Sequence, residues 1–518
     1  MNYRIPLVVL FIMAGMFNVS MAQMYYDTHI ENKYVKENRF IGRNADTSKL
    51  PVYDDVKAKL PQPLWPARPD VIKAYYKAWQ LAFANVHGPQ HEVNGFISPF
   101  IDPAFNEHIF MWDSHFMLMF GRYGSRAFNF QNTLNNFYTK QHKDGFICRE
   151  IKESDGQDFF ERFDPSSTGP NLFPWTEWEY YLNFNDTLRL KEVFPPLLAY
   201  YQWFRDNRSW PDGTYWSSGW GCGMDNQPRL QPGYNEAWSH GFMSWIDISC
   251  QQVFAGNILM EMAKVLGRAA DVKDIETEVT VLSAFINSKM WDDKEGFYFD
   301  RYRDGTLSKV KSVASYWALL SGILPQTSKK SFIDHLENTK EFARVHRVAT
   351  LSADHPDFDP NGGYWKGSVW APTNYMILRG LTKYGEDSLA REIAMNHLNN
   401  VVSVFTTTGT FFENYAPDKV QGNDRRDFVG WTGIVPISVL FEYVFGIRPN
   451  VPENTIIWDI GLTDEFGITN YPFGKSGTID FLCEKRNSPY DEPSIKIRSN
   501  MKFKLILKWR GGEKIVNV

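Results

Sequence analysis

The stretch SSGWGCGMDNQPR, Ser217–Arg229, places three glycines and a cysteine around one acidic side chain, Asp225, in a segment too irregular to be helix or strand. Four other segments far apart in the chain share its mixture of acids and aromatics. NEHIFMWDSHF carries Trp112 and Asp113, and DGFICREI carries Arg149 and Glu150. GGYWKGSVWAPTNY carries Trp365, Lys366, Trp370 and Asn374, and FFENYAPD carries Glu413 and Tyr415. Trp220, Asn226 and Arg229 accompany Asp225, and Trp431 follows the Glu413 segment. Carboxyl groups that exchange protons and grip hydroxyls, beside indoles that stack on the apolar faces of rings, suit a pocket that handles carbohydrate.

Each residue also has a plain structural role open to it. Asp225 and Asn226 fit an Asx turn, Asp113 a helix N-terminal charge favoured by the dipole, and Glu413 a cap or a partner of Arg425 or Arg426. Trp365 and Trp370, five apart near a helix start, fit a core. His108, His115 and His240 stand alone, with no metal-site spacing around them. Only the joint placement of five segments on one face favours a site over these separate roles.

That placement follows from the helices. Apolar periodicity predicts twelve, near 69–87, 108–122, 125–139, 173–184, 187–206, 236–266, 270–290, 309–323, 326–338, 367–384, 386–402 and 430–446. Within each even-to-odd pair the join is a few residues, as at RYGSRA, NFNDTL and TKYGED. Joins from odd to even helices are long and rich in Gly, Trp and Pro, the type of connection that carries function. The expected fold class is therefore mainly α, an (α/α)6 toroid with all long loops on one rim, over residues 66–449. From about 450 to 518 the pattern changes to short alternating segments, TIIWDIGL, GTIDFLCEK, SIKIRSN and FKLILKWR, which predict a small β-sandwich-like domain. Residues 23–65, polar and punctuated by proline, are expected to form an extended arm on the main domain.

Composition narrows the function class. A net charge of −5 with no basic run disfavours nucleic acid. The 18 Trp, 25 Tyr and 39 Phe fall in large part in Gly-rich and Pro-rich stretches, where they can stack on ligands. At the N-terminus, Arg4, the apolar run Pro6–Phe17 and Ser20-Met21-Ala22 read as a signal peptide, residues 1–22, cut after Ala22. This predicts export to the periplasm or the medium, with no later segment apolar enough for membrane insertion. Cys148, Cys222, Cys250 and Cys483 lack metal-site spacing and are too few for a disulfide scaffold. Oligomeric state is not readable from the chain.

WGCGMDNQPR, GGYWKGSVWAPTNYMILRGL, MWDSHF and FFENYAPD together resemble the inverting (α/α)6 glycosidases of glycoside hydrolase family 63, the related trehalases and, most of all, their mannosylglycerate-hydrolase-like bacterial members, over about residues 70–446. The resemblance implies that Asp225 is the general acid, Glu413 the general base and Asp113 a grip on the sugar. It further implies substrate contacts from Trp112, Arg149, Trp220, Asn226, Arg229, Trp365, Lys366, Trp370, Asn374, Tyr415 and Trp431. The chain departs from the pattern in lacking an N-terminal β-sandwich and in having Lys366 where arginine is usual and Gln227 where serine is common. Asp424 and Asp427 are rival bases, disfavoured by their neighbours Arg425 and Arg426. The implied activity is exo-acting hydrolysis of an α-linked gluco- or manno-configured glycoside, with an oligosaccharide or small glycoside as substrate. That chemistry requires no cofactor and leaves room for a structural calcium ion. The alternatives are a polysaccharide lyase on the same toroid, which needs a Tyr or His base, and a glycan-binding protein without catalysis.

Overall fold

The computed structural model describes residues 31–518, so the signal peptide expected over residues 1–22 lies outside the described residues. Twelve helices carry the main body: α1 Pro69–Ala84, α2 Met111–Gly121, α3 Thr133–Thr139, α4 Phe173–Phe184, α5 Thr187–Arg208 and α6 Ile246–Leu266. They continue with α7 Lys273–Lys289, α8 Trp317–Ser321, α9 Gln326–Asp334, α10 Ala371–Lys383, α11 Asp387–Thr408 and the π-helix α12 Val435–Val444.

Burial separates the helices into two kinds. All eleven residues of α2 and all ten of α12 are buried. In α7 only Ile275, Val279, Leu282 and Ile286 are buried, the single stripe of a helix that covers a core from one side. The even-numbered helices contact one another in sequence, α2 on α4, α4 on α6, α6 on α8 and α8 on α10. The turn Thr432–Ile434 ahead of α12 touches both α10 and α2, so the succession returns to its start. At the short-loop end Glu442 of α12 bonds Arg122 Nη2 at 2.6 Å, Tyr123 at 2.8 Å and Tyr375 of α10 at 2.9 Å. Arg122 also reaches Glu179 of α4 at 3.2 Å, so one buried polar network pins helices from across the ring of contacts.

Several helices start later than periodicity alone predicts, because the residues ahead of them are held in a strand, a loop or a tight turn. Residues 108–110 form strand β2 against β3, Glu150–Lys152, and α2 begins only after them. Residues 236–245 belong to the loop before α6, and the segment before α8 is the tight turn Val313–Tyr316. Proline in the first turn marks the starts of α1, α4, α10 and α12, where its missing N–H costs nothing. The short α4–α5 join works through Asn185 in the left-handed region at φ 52° and Asp186, whose side chain accepts from the Arg189 N–H.

Two four-stranded sheets complete the chain. β1 (Gln62–Leu64), β8 (Phe466–Phe473), β9 (Gly477–Cys483) and β10 (Ile495–Ser499) form one in that spatial order. β6 (Ile447–Asn450), β7 (Thr455–Ile460), β11 (Lys504–Trp509) and β12 (Gly512–Asn517) form the other, with β7 parallel to β11. Alternate residues of β9 point inward, and Phe481 meets Trp458 of the second sheet at 5.0 Å between ring centroids. The N-terminal segment is not uniformly extended: it contains the turns Val35–Glu37 and Lys57–Lys59 and the helical turn Tyr53–Val56, and it contributes β1 to the first sheet. Among the described residues no helix is long and apolar enough to cross a membrane.

Candidate active site

The long loops converge on a cavity of about 370 Å³ lined by Trp112, Asp113, Arg149, Glu150, Trp220, Asp225, Tyr364, Trp365, Trp370 and Trp431, together with Phe105, Phe110, Phe159 and Phe160. The β2–β3 pairing assembles its first wall. Phe110 lies opposite Glu150, and the Met111 N–H donates to Arg149 O at 2.7 Å, which sets the first turn of α2 beside Arg149 and Glu150. Asp113 in that turn is buried, and neither its Oδ1 nor the Nε1 of Trp112 has a partner. A buried acceptor and a buried donor left open side by side, both lining a cavity, are poised for a ligand's hydroxyl groups. Burial holds the Asp113 carboxyl well above the usual carboxylate range, and Glu413 and Glu150 push the same way while Arg149 opposes them.

Asp225 owes its position to the irregular loop. Ser218 caps the single turn Gly219–Cys222 by accepting from the Gly221 N–H at 3.1 Å, and Gly223 ends it at φ 80°. A Cβ on Gly223 would stand 3.0 Å from the Trp112 indole, so glycine is required both for the conformation and for the approach to that ring. The residues around Asp225 then fasten the loop. Asn226 accepts from the Trp365 N–H at 2.9 Å and donates to Gly363 O at 3.1 Å, and Gln227 donates to Thr350 O at 2.8 Å. Arg229 is fully buried between Asp247 and Asp300, which it binds with four hydrogen bonds of 2.7–2.8 Å.

Glu413 lies on β4, Phe412–Tyr415, which pairs with β5, Gly422–Arg426. Its Oε2 accepts from the backbone N–H of Arg425 at 3.2 Å, and its own carbonyl accepts from Trp431 Nε1 at 2.8 Å. Tyr364 joins this residue to the acid loop. Its hydroxyl is 3.2 Å from Glu413 Oε1 and 3.5 Å from Asp225 Oδ2. Burial first, with further contributions from nearby carboxylates, lifts Glu413 to about 7 and Asp225 to about 6, while Arg149 and the Tyr364 hydroxyl hold Asp225 back from a larger rise. The two carboxyls therefore share about one proton between about 6 and 7 in the empty pocket, held mainly by Glu413. Of the rival acids, Asp424 is engaged by Asn414 Nδ2 at 2.6 Å, and Asp427 accepts from Thr410 at 2.5 Å beside Arg426.

Of the residues expected to touch substrate, Trp112, Asp113, Arg149, Trp220, Trp365, Trp370 and Trp431 line the cavity. Asn226 and Arg229 lie outside the lining and hold the loop, and three others also lie outside it. Lys366 sits between Glu236 at 3.8 Å and Asp357 at 3.9 Å. Buried Asn374 spans Val348 N–H and Arg347 O. Tyr415, also buried, accepts from the Phe412 N–H. The lining also contains Glu150, which shares its segment with Arg149, and residues that sequence reasoning does not single out, Tyr364, Phe105 and Phe160 among them. Tyr364 directly precedes Trp365 in GGYWKGSVWAPTNY, and its left-handed backbone at φ 62° is a local signal visible only in three dimensions.

Comparison with known proteins gives the family of the segment that carries these loops. The profile of the mannosylglycerate hydrolase MGH1-like glycoside hydrolase domain matches residues 106–432, which include every residue lining the cavity apart from Phe105. An uncharacterized protein of Borreliella burgdorferi is 23% identical over 376 residues, covering 70% of this chain and 77% of its own length. A probable mannosyl-oligosaccharide glucosidase of Schizosaccharomyces pombe is 25% identical over 287 residues, 49% of this chain but only 34% of that protein, so the chain spans about a third of the glucosidase. Among solved structures, the GH63 mannosylglycerate hydrolase from Thermus thermophilus in complex with Tris and D-glycerate aligns with a TM-score of 0.58 at 21% identity, covering 70% of this chain and 98% of that one. With Tyr364 of the cavity wall joining Asp225 of the lining to Glu413 behind it, and a family profile spanning the loops that bear them, the chain belongs to the mannosylglycerate hydrolase MGH1-like family and is a glycoside hydrolase.

Proposed function

We propose that the protein is an exported, inverting, exo-acting α-glycosidase on an (α/α)6 toroid, with Asp225 as general acid and Glu413 as general base. The observation that carries the reading is the Tyr364 hydroxyl standing between those two carboxyls, beside a cavity wall where Asp113 Oδ1 and Trp112 Nε1 lack partners. The legs of 3.5 and 3.2 Å keep both carboxyls within reach of a single glycosidic linkage and its attacking water. The closed succession of helix contacts and the two burial patterns support the toroid.

In this mechanism protonated Asp225 gives its proton to the glycosidic oxygen as the bond to the anomeric carbon breaks. Ionised Glu413 takes a proton from a water that attacks that carbon from the opposite face. Asp113 and Trp112 hold ring hydroxyls, and the indoles of Trp365 and Trp370, stacked at 3.9 Å, shape the far wall. Only side chains and water take part, so no cofactor enters the proposed chemistry. Asp113, Glu150 and Asp225 line the cavity with Arg149 as their one basic counterpart in the lining, and Arg149 already donates to Ser166 O and approaches Glu150 at 3.5 Å. That balance favours a neutral sugar. Relatives named for mannosylglycerate and for glucosylated mannosyl-oligosaccharides support a manno- or gluco-configured ring. A lyase would need Tyr364 as its base, yet burial and two adjacent carboxylates hold that phenol far above its ordinary range.

Proton NMR of the first-formed sugar from an α-linked substrate tests the reading. The β-anomer is expected before mutarotation. An α-anomer would replace the general base with a nucleophile, and an unsaturated product would replace hydrolysis with elimination.

A further inference from the structure

Beside the acid, the cavity opens onto an aromatic shelf that the catalytic chemistry leaves unused. Trp220 lines the cavity, and Trp238 stands perpendicular to it, with ring centroids 4.9 Å apart and planes at 87°. The Trp238 side of this corner is open, since that residue is 51% exposed. Next to Trp220, whose ring centroid is 6.0 Å from that of Phe160, Phe159, 49% exposed, packs edge-on against Phe160 at 4.9 Å. An indole kept half in water leaves apolar area unburied, a cost that a ligand covering it would remove.

The exposed indole is held by construction. The Gly219 N–H donates to Glu236 O at 3.1 Å and the Trp220 N–H to Ala237 O at 2.8 Å, so the turn bearing Trp238 runs alongside the one that precedes Asp225. Asn235 closes that turn by accepting from Ala237 N–H at 2.9 Å and Trp238 N–H at 3.3 Å. A Cβ on Gly219 would lie 2.3 Å from Glu236 O and 2.7 Å from Asp225 O, so this one glycine lets both the Trp238 turn and the Asp225 peptide close upon it. Lys366 braces the arrangement from the Tyr364 loop through Glu236.

The side of the pocket matters chemically. A general acid protonates the oxygen of the departing group, so a surface built onto the acid's own loop faces the leaving group and not the sugar whose anomeric carbon reacts. We propose that Trp238, with Trp220 behind it, is a sugar-binding subsite for the leaving group: the substrate is a neutral oligosaccharide whose departing portion is itself at least one pyranose ring, stacked by its C–H face on the Trp238 indole. The inference deepens the hydrolase reading and rests on it. It also separates this enzyme from one whose leaving group is a small acid, because the guanidinium of Arg149, 4.6 Å over the Phe160 ring, is already engaged by Ser166 O and Glu150.

The test compares Trp238→Ala with wild type on α-glucosyl and α-mannosyl fluorides, whose leaving group has no ring, and on α-linked gluco- and manno-oligosaccharides of two to four sugars. Loss of the stack is expected to lower kcat/KM on oligosaccharides about tenfold, the loss residing in KM, while fluoride hydrolysis stays within about twofold. Equal loss on both substrate types, or no loss on either, overturns the subsite. So does a wild type that cleaves the fluorides but neither cleaves nor binds any oligosaccharide. Calorimetric titration of Asp225→Asn, with and without Trp238→Ala, against the same oligosaccharides reads the subsite without turnover. A wild type inert on every substrate would defeat the hydrolase reading alone, and weaker oligosaccharide binding on loss of Trp238 would still uphold the shelf. Binding that Trp238→Ala leaves unchanged would overturn it.

Discussion

The hydroxyl of Tyr364 lies 3.2 Å from Glu413 Oε1, and the residue that offers it is held at φ 62°, in the left-handed region where a side chain is rarely found. The loop pays a conformational cost to place a phenol that also stands 3.5 Å from Asp225. Because the phenol donates to carboxylate oxygens, it favours their ionised forms and holds both groups below the values burial alone would give. Activity requires one carboxyl protonated and the other ionised. Below about 6 both carry protons and the base is lost, and above about 7 neither does and the acid is lost; between them the proton of the empty pocket resides mainly on Glu413, so the productive form with Asp225 protonated and Glu413 ionised is the minor one until substrate engages the acid. The wild-type profile of kcat/KM against pH is therefore expected to be a bell with limbs near those values. Tyr364→Phe should displace the bell to higher pH and reduce its maximum by about tenfold or more, as a hydrogen bond to a charged group is removed. A pH–rate profile of the variant that matched wild type would take Tyr364 out of the proton inventory.

Legibility of the fold in the sequence followed a physical divide. Helices such as α5 and α11 declare themselves through periodicity and short joins, the one before α5 capped by Asp186, because their interactions are local. The buried start of α2 is set by pairing with β3 some forty residues later, and α8 shrinks to Trp317–Ser321 after the turn Val313–Tyr316. At the site, Asp225 and Glu413 were readable as acids in loops, and Asp113 as an acid at a helix start. Arg229 looked like a ligand-binding arginine because its motif travels with the site, yet its partners Asp247 and Asp300 are separated from it in sequence and meet it only in the folded chain. Phe105 and Phe160 come from connections with no periodicity, so nothing local distinguished them from other loop aromatics.

Burial that tunes a carboxyl toward catalysis destabilises its ionised form in the folded protein. Asp225 is raised from 3.8 to about 6. Its contribution to stability is intact below the unfolded value and declines as pH rises through about 6, by roughly 3 kcal/mol at most from a shift of this size. Asp225→Asn cannot ionise and is expected to melt at a higher temperature than wild type at pH 8, with the gap narrowing as pH falls toward 4. Calorimetric scans across that range check the sign. A variant less stable than wild type at pH 8 would mean that ionised Asp225 is a structural partner in its loop.

At the opposite end of the ring of contacts, Glu442 takes hydrogen bonds from Arg122, Tyr123 and Tyr375. Removing one member of a buried ionic cluster leaves the rest unpaired, which typically costs about 3–5 kcal/mol. Glu442→Ala should lower stability by an amount of that order in denaturant titration and reduce the yield of folded protein, whereas Glu442→Gln, which keeps an acceptor, should lose less. Equal and small losses from both would show that Arg122 finds sufficient support from Glu179 alone.

Asp113 allows its two roles to be told apart, because they move stability in opposite directions. As an acid in the first turn of α2 it would stabilise the helix through the dipole, and its removal would cost about 0.3–1 kcal/mol. As a buried carboxyl with an unpartnered oxygen, lifted far from its ordinary range, it burdens the empty protein and is satisfied only when a sugar hydroxyl arrives. The second role predicts that Asp113→Ala leaves the melting temperature unchanged or higher at pH 8 while kcat/KM falls by about tenfold, the magnitude of a buried hydrogen-bond partner left unsatisfied. Asp113→Asn, which keeps one acceptor in place beside Trp112, should retain more activity than alanine. A melting temperature that falls with activity untouched would reduce Asp113 to a helix charge, and the grip on the sugar would have to come from elsewhere in the wall.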